Sequence, residues 1–514
     1  MRRIGVLAIV LAVCTACGAG PSERPDVAVV EQGGDPAPTS DGPPAIASLQ
    51  APVRDLVWKD CKAATLDRLE LGPGPGGLSL ECSSFVAPVD ATSTAAGSLE
   101  VGVLRARLPQ TPTDAAPLVL TSGSDLASSS TLAALATGPI SALLATRPIV
   151  AVDRRGIGTS TAIDCVPTPD RRVLADLGEF GPADIPDASK VAAASRAATI
   201  ACTDDLAPDA LAFDTAHAAD DLEQLRRIWQ VDSLGLLGSG NGAAVALAYA
   251  ARHPAQVGRL VLDSPAATTA DASTAAEYRV QGAQAAVAAF SRRCAALSCS
   301  LGPDPAAAIT DLHGRAAAGE LAPVSSNALL TAVSAFLGSP RGDQSSRVRE
   351  LSDILAAAGR GDKAPLLDLI GATEAAVGSD GQFVARCSDG QQWPGPGQAG
   401  ELAQAWSQRY PLFGSDAAIA LMSCSAWPTM APPPLPSKIP APTLVLSGVA
   451  DPIVGDGGLS TVTGTLAAAG TVWSSVSWEG SGHPVTTHSD CAQQALIRYI
   501  DAGTLPPNGG ACPA

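Results

Sequence analysis

The chain is short of positive charge: 33 Lys and Arg stand against 50 Asp and Glu in 514 residues, a formal net charge of −17. Loss of a leader carrying Arg2 and Arg3 takes the mature chain to about −19. Such a surface argues against nucleic acid and anionic lipid as partners. After the first residues no apolar run is long enough for a membrane helix. Metal-ligand spacing is also missing. Apart from Cys14 and Cys17 there is no Cys-x-x-Cys pair and no His/Cys cluster, so no zinc site and no cofactor is expected. Histidine is scarce: His217, His253, His313, His483 and His488 are the five available for acid–base work.

The first 17 residues read as a processing segment. Arg2 and Arg3 form a basic start, and Ile4 to Val13 is an apolar run too short to span a bilayer. Cys14-Thr15-Ala16-Cys17-Gly18 resembles a lipobox with Cys where Leu is usual, which makes Cys17 the expected lipidation site. The alternative is an ordinary secretory signal cleaved nearby. Residues 18–48, rich in Pro, Gly, Asp and Ala, read as a disordered tether. The expected location is the extracytoplasmic side of the cell membrane, with membrane contact only through the lipid anchor, or release from it.

Ten cysteines remain, an even set that suits an oxidising compartment. Pairing sequential neighbours gives Cys61–Cys82, Cys165–Cys202, Cys294–Cys299, Cys387–Cys424 and Cys491–Cys512. That pairing rests on proximity alone. A bridge closing 20 to 40 residues contributes roughly 3–4 kcal/mol.

Short apolar runs alternate with helical stretches. Ala116 to Leu120, Pro148 to Val152, Leu234 to Leu237, Arg259 to Leu262, Pro442 to Ser447 and Thr471 to Trp478 read as strands. This predicts an α/β fold with a mostly parallel sheet and helices on both faces. From residue 266 to 440 the pattern turns alanine-rich and helical, as an inserted cap would be. The expected division is a core over 49–265, a helical cap over 266–440 and a second core segment over 441–514.

The stretch LGLLGSGNGAAVALAYAARHP, Leu234 to Pro254, lies at the centre of this pattern. Strand, glycine turn and helix form the layout of a nucleophile elbow, G-x-nucleophile-x-G. Here it reads Gly238-Ser239-Gly240-Asn241-Gly242, so glycine stands at the nucleophile position. Gly238, Gly240 and Ala243 also approach a G-x-G-x-x-G phosphate loop, with Asp263 ending the next strand. Residues at later strand ends favour the elbow. Asp451 and His483 follow strands, and nucleophile position, acid, histidine is the chain order of α/β-hydrolases. His488 is a weaker candidate for the base.

Together these residues resemble the exported tripeptidyl and prolyl aminopeptidase-like serine hydrolases of actinobacteria, over Trp58 to Cys512. The supporting motifs are Trp58-Lys59-Asp60-Cys61, Asp153-Arg154-Arg155-Gly156, Asp220-Asp221-Leu222, Arg386-Cys387-Ser388-Asp389, Cys424-Ser425-Ala426-Trp427, Asp451-Pro452 and Gly482-His483. Tyr249 fixes the register at Gly240. The resemblance implies an α/β-hydrolase fold with a helical cap, a catalytic serine at position 240, Asp451 as acid and His483 as base. It also implies removal of peptides from free amino termini.

Two departures stand out. The nucleophile is glycine, and the glycine-rich oxyanion loop is replaced by Thr121-Ser122-Gly123-Ser124-Asp125. The expected oxyanion donors are Asn241, Ser122 and Gly123, with the acid of Asp125 opposing the charge of acyl transfer. The expected function is therefore a catalytically impaired homologue binding a peptide or small acyl ligand in the cleft under the cap. One alternative is an active peptidase or esterase using His483 and Asp451 with Ser239 or an activated water. The other is a nucleotide-binding domain using the glycine turn.

Overall fold

The runs Leu118–Thr121, Ile149–Val152, Leu234–Ser239 and Val257–Asp263 are buried at every position. Strands that are apolar throughout belong in the middle of a parallel sheet covered on both faces, and there they lie. The computed structural model describes residues 48–92, 97–138, 141–179, 187–339 and 344–514. The leader, Cys17 and the tether up to residue 47 lie outside the described residues.

The strands are β1 (Lys59–Asp60), β2 (Ser79–Pro88), β3 (Ser98–Arg107), β4 (Leu118–Thr121), β5 (Ile149–Val152), β6 (Leu234–Ser239), β7 (Val257–Asp263), β8 (Thr443–Ala450), β9 (Trp473–Ser481) and β10 (Gly510–Cys512). They form one sheet in the order β1-β2-β3-β5-β4-β6-β7-β8-β9-β10. The pairs β1–β2, β2–β3 and β3–β5 are antiparallel. All pairs from β5 to β10 are parallel. The mostly parallel α/β sheet agrees with the sequence pattern.

Two details differ from it. The strand expected at 471–478 runs Trp473–Ser481, and the tail contributes β10 beside β9. Gly509 N–H donates to Ser475 O and the disulfide Cys491–Cys512 closes the tail onto the last helix. A three-residue strand held in this way carries no alternation to read.

Helices cover both faces. We label α1 (Ser128–Thr137), α2 (Thr215–Trp229), α3 (Gly242–Arg252), α4 (Ala272–Ala296), α5 (Asp380–Asp389) and α6 (Asp490–Ala502). Leu236 and Leu260 face α2 and α3, packing with Leu222, Trp229 and Val245. Their neighbours Leu237 and Val261 face α1 and α6, packing with Leu132, Leu496 and Tyr499. This is the strand alternation expected of a sheet buried on both sides.

Between β7 and β8 the described residues form helices and no strands. They build a separate apolar cluster around Phe290, Leu329, Leu351 and Leu366. Helices Thr168–Ala175 and Ala188–Asp205, from earlier in the chain, join this layer through Leu177, Val191 and Ala192 against Ala399, Ile419 and Met422. Disulfides link Cys61–Cys82, Cys165–Cys202, Cys294–Cys299, Cys387–Cys424 and Cys491–Cys512. Among the described residues no helix is long and apolar enough to cross a membrane.

The loop after β5 is fastened by charge. Arg155 is buried and its guanidinium donates to both Asp221 oxygens at 2.9 and 2.6 Å, and to Val89 O and Ala212 O at 2.6 and 2.7 Å. Asp153 is buried beside it and accepts from the N–H and hydroxyl groups of Ser129 and Thr159, each at 2.8 Å.

Candidate functional site

The elbow is built as a tight turn between β6 and α3. Gly242 sits so close to β4 that a Cβ there would lie 1.8 Å from Thr121 O, so no larger residue fits. Gly240 has φ of +57°, a left-handed conformation that glycine reaches without steric cost. Its N–H donates to Asp263 O at 3.0 Å, and its carbonyl accepts from Ala266 N–H at 3.1 Å. The apex of the turn is thus tied to the end of β7.

His483 follows β9 and is buried. Its Nδ1 lies 2.7 Å from Asp451 Oδ2, while Asp451 Oδ1 accepts from the N–H groups of Ile453 and Val454 at 2.8 and 3.0 Å. The acid therefore orients the ring, and Nε2 faces the elbow, 3.1 Å from where a Cβ on residue 240 would be. Asp263 holds the loop beyond the histidine. It accepts from Val485 N–H at 2.9 Å, Thr486 N–H at 3.0 Å and Thr486 Oγ1 at 2.5 Å. The sequence presents Asp263 as the acid ending the strand after the glycine turn. Its place at a strand end beside the elbow was the available signal, but not its partners.

His488 is not the base. It stacks on Trp478 with ring centroids 5.4 Å apart, and its Nε2 lies 3.1 Å from Gly338 O. Burial lowers its pKa to about 4. Ser239 is buried in β6, paired in register with Asp263, and makes no hydrogen bond to His483.

The oxyanion side differs from expectation. Asp125 Oδ2 accepts Asn241 N–H at 2.6 Å, and Asp125 Oδ1 accepts the Asn241 side-chain amide. The same Oδ2 lies 2.3 Å from the position of a Cβ at residue 240. A carboxylate thus occupies the space of the missing side chain and takes the donor that would face an oxyanion. Ser122 N–H is turned inward and donates to Ser128 Oγ at 2.9 Å, so Ser122 is no oxyanion donor as placed. Gly123, at φ of +64°, packs its Cα against the Asn241 backbone. Because Asn241 N–H is occupied, the start of α3 offers no open cradle of the kind a pyrophosphate needs. Among the described residues no group of three His, Cys, Asp or Glu side chains is arranged to hold a metal ion.

The electrostatics follow from this packing. Burial raises the Asp125 pKa, opposed by His483 and by the hydrogen bonds from Asn241. At His483 burial lowers the pKa, but the Asp451 carboxylate, helped by Asp125 and Asp263, outweighs it and lifts the value to about 8. At pH 7 the ring is mainly imidazolium, which has no lone pair to take a hydroxyl proton. A folded-state pKa above the unfolded 6.5 means that protonation favours the folded chain. The contribution is complete below pH 6.5 and is lost as pH rises through about 8. It amounts to about 2 kcal/mol. We expect the stability gap between the natural chain and His483→Gln, from urea midpoints, to narrow by that amount from pH 6 to pH 9. A gap that stays constant would show that His483 titrates normally.

Sheet order, elbow and acid–histidine pair define this chain as an α/β-hydrolase-fold protein. The family model described as alpha/beta hydrolase fold matches residues 138–310, and the one described as TAP-like protein matches residues 410–512. Within that fold, the match to the TAP-like model is confined to the C-terminal residues 410–512. The chain is similar to the serine protease Hip1 of Mycobacterium tuberculosis and of Mycobacterium bovis, 32% identical over 114 residues, 22% of each chain. The chain's match thus spans about a fifth of the length of these curated relatives. Among solved structures it is similar to proline iminopeptidase of Mycobacterium smegmatis, at 14% identity and TM-score 0.39, covering 82% of this chain and 98% of that one. Esterase E22 matches at 12% identity and TM-score 0.40, covering 82% and 100%.

Proposed function

We propose that this chain is a TAP-like hydrolase homologue that binds a peptide or other acyl-bearing ligand in the cleft under its helical layer without turning it over. The observation that carries the reading is Asp125. Its carboxylate stands where the side chain of residue 240 would be and accepts the N–H of Asn241. Glycine at 240 offers no hydroxyl, and an anion already fills the place where negative charge would develop. The protonated state of His483 at neutral pH points the same way. Export and a lipid anchor at Cys17 belong to the proposal, and the five disulfides support an oxidising compartment.

A second reading draws on the well-made Asp451–His483 pair. It makes the chain an active peptidase or esterase that uses Ser239 or an activated water. One assay separates the two. The purified chain is tested against aminoacyl peptide amides and p-nitrophenyl esters beside His483→Ala and Ser239→Ala. We expect no hydrolysis above the His483→Ala level. Turnover that disappears in His483→Ala would favour the second reading, and its further loss in Ser239→Ala would name the nucleophile.

A further inference from the structure

Several arginines of this fold pair with carboxylates: Arg154 with Asp389, Arg155 with Asp221, Arg226 with Glu223. Two exposed ones on helices beside the site are not. Arg279 on α4 has only a long contact from Nε to Ala275 O, at 3.4 Å. Arg386 on α5 donates from Nη1 to Val377 O, at 3.3 Å. Neither has a carboxylate partner among the described residues, although the chain carries a net charge of −17.

Both are held in place by the site itself. α4 lies directly on the acid's loop, where a Cβ on Gly282 would meet Asp451 O at 2.0 Å. Arg279 lines a small cavity, about 40 Å³, with Asn241, Ala266, Ala267, Ala275 and Val454. That cavity opens against the residue that grips Asp125. On α5, one turn before Arg386, Gln382 Nε2 donates to Asp125 O at 3.2 Å. Helix α5 is also clamped where Asp380 accepts from Cys165 N–H and Val166 N–H, both at 2.7 Å.

Each guanidinium keeps contact with solvent while the cleft walls crowd it. Loss of hydration lowers both pKa values from the usual arginine value. Arg386 is further disfavoured by the charge of Arg279, and both feel the Asp125 carboxylate. Two like charges thus act on the same side of the site as the Asp125 carboxylate, itself already bonded to Asn241. A free amino terminus would meet this pair unfavourably. A carboxylate or phosphate would relieve it, because the planar guanidinium fork matches two oxygens of either group.

We infer that the cleft binds a small oxyanion, a carboxylate or phosphate group of its ligand, between Arg279 and Arg386 and beside Asn241. The cavity has room for such a group alone, so the body of the ligand lies outside it. The inference rests on the cleft being the ligand site, as proposed above, and not on the absence of turnover.

The test is calorimetric titration of the purified chain with succinate, with inorganic phosphate and with neutral succinamide. Arg279→Gln and Arg386→Gln are compared with Arg68→Gln, an exposed arginine on the helix Lys62–Arg68. Thermal melts confirm that each variant is folded. We expect saturable binding of at least one anion, weakened about tenfold or more in each cleft variant and unchanged in Arg68→Gln. Which anion binds tells carboxylate from phosphate. No saturable binding of either anion overturns the inference, as does binding that survives both substitutions or equal binding of succinamide. Hydrolysis that depends on His483, with anion binding intact, would sink only the non-catalytic reading.

Discussion

Gly240→Ser alone is expected to restore no hydrolysis, whereas Gly240→Ser combined with Asp125→Gly is expected to restore ester hydrolysis by at least about 100-fold over the natural chain. The geometry separates the two variants. A Cβ at 240 meets Asp125 Oδ2 at 2.3 Å and is strained at a φ of +57°. The single variant therefore loses about 1–3 kcal/mol from backbone strain. Its hydroxyl also has a carboxylate for a neighbour and an imidazolium for a base. Removing the Asp125 side chain makes room for the serine, frees Asn241 N–H, and withdraws one of the negative charges that raise the His483 pKa. Each change acts on a different requirement of acyl transfer: the nucleophile, the oxyanion donor and the neutral base. Turnover of p-nitrophenyl acetate and thermal melts of the two variants check this. If the single variant is as active as the double one, Asp125 is not the obstacle.

Arg155→Met should be the most damaging single change outside the site, lowering stability by roughly 3–5 kcal/mol. The guanidinium is buried and satisfies both Asp221 oxygens together with Val89 O and Ala212 O. Without it, Asp221 is an uncompensated buried charge; burial already raises its pKa, with Arg155 opposing. The double variant Arg155→Met with Asp221→Leu removes both charges and should recover a large part of the loss. Urea midpoints for the two singles and the double form a cycle that isolates the pair. A loss below about 1 kcal/mol in Arg155→Met would show that water or another group replaces the guanidinium.

The frame of the molecule was legible because it obeys periodicity. The runs at 118–121, 149–152, 234–239 and 257–263 have no polar face to hide, which reads as a buried parallel strand. Gly240, Asp451 and His483 were legible for a related reason: each follows a strand, and strand ends in such sheets face one crevice. Asp125 was legible only as an acid in the wrong loop. Its grip on Asn241, 116 residues away in the chain, comes from β4 lying beside β6, and sheet order is not written in local pattern. The inward turn of Ser122 toward Ser128 and the clasp of Asp263 on Val485 and Thr486 are likewise products of packing. Arg279 and Arg386 carry no motif of their own that announces a cleft. They become visible only when the helices that bear them are set down.

Helix α5 has a mechanical consequence. Asp380 ties its start to the backbone at Cys165 and Val166, Asp389 ties its end to Arg154, and Cys387 is bonded to Cys424. One wall of the cleft is therefore riveted to the loop behind β5 and cannot swing as a hinged lid. Whatever meets this wall meets it as it stands. Recognition of the proposed ligand at this wall would be preorganised, with little ordering entropy to oppose it.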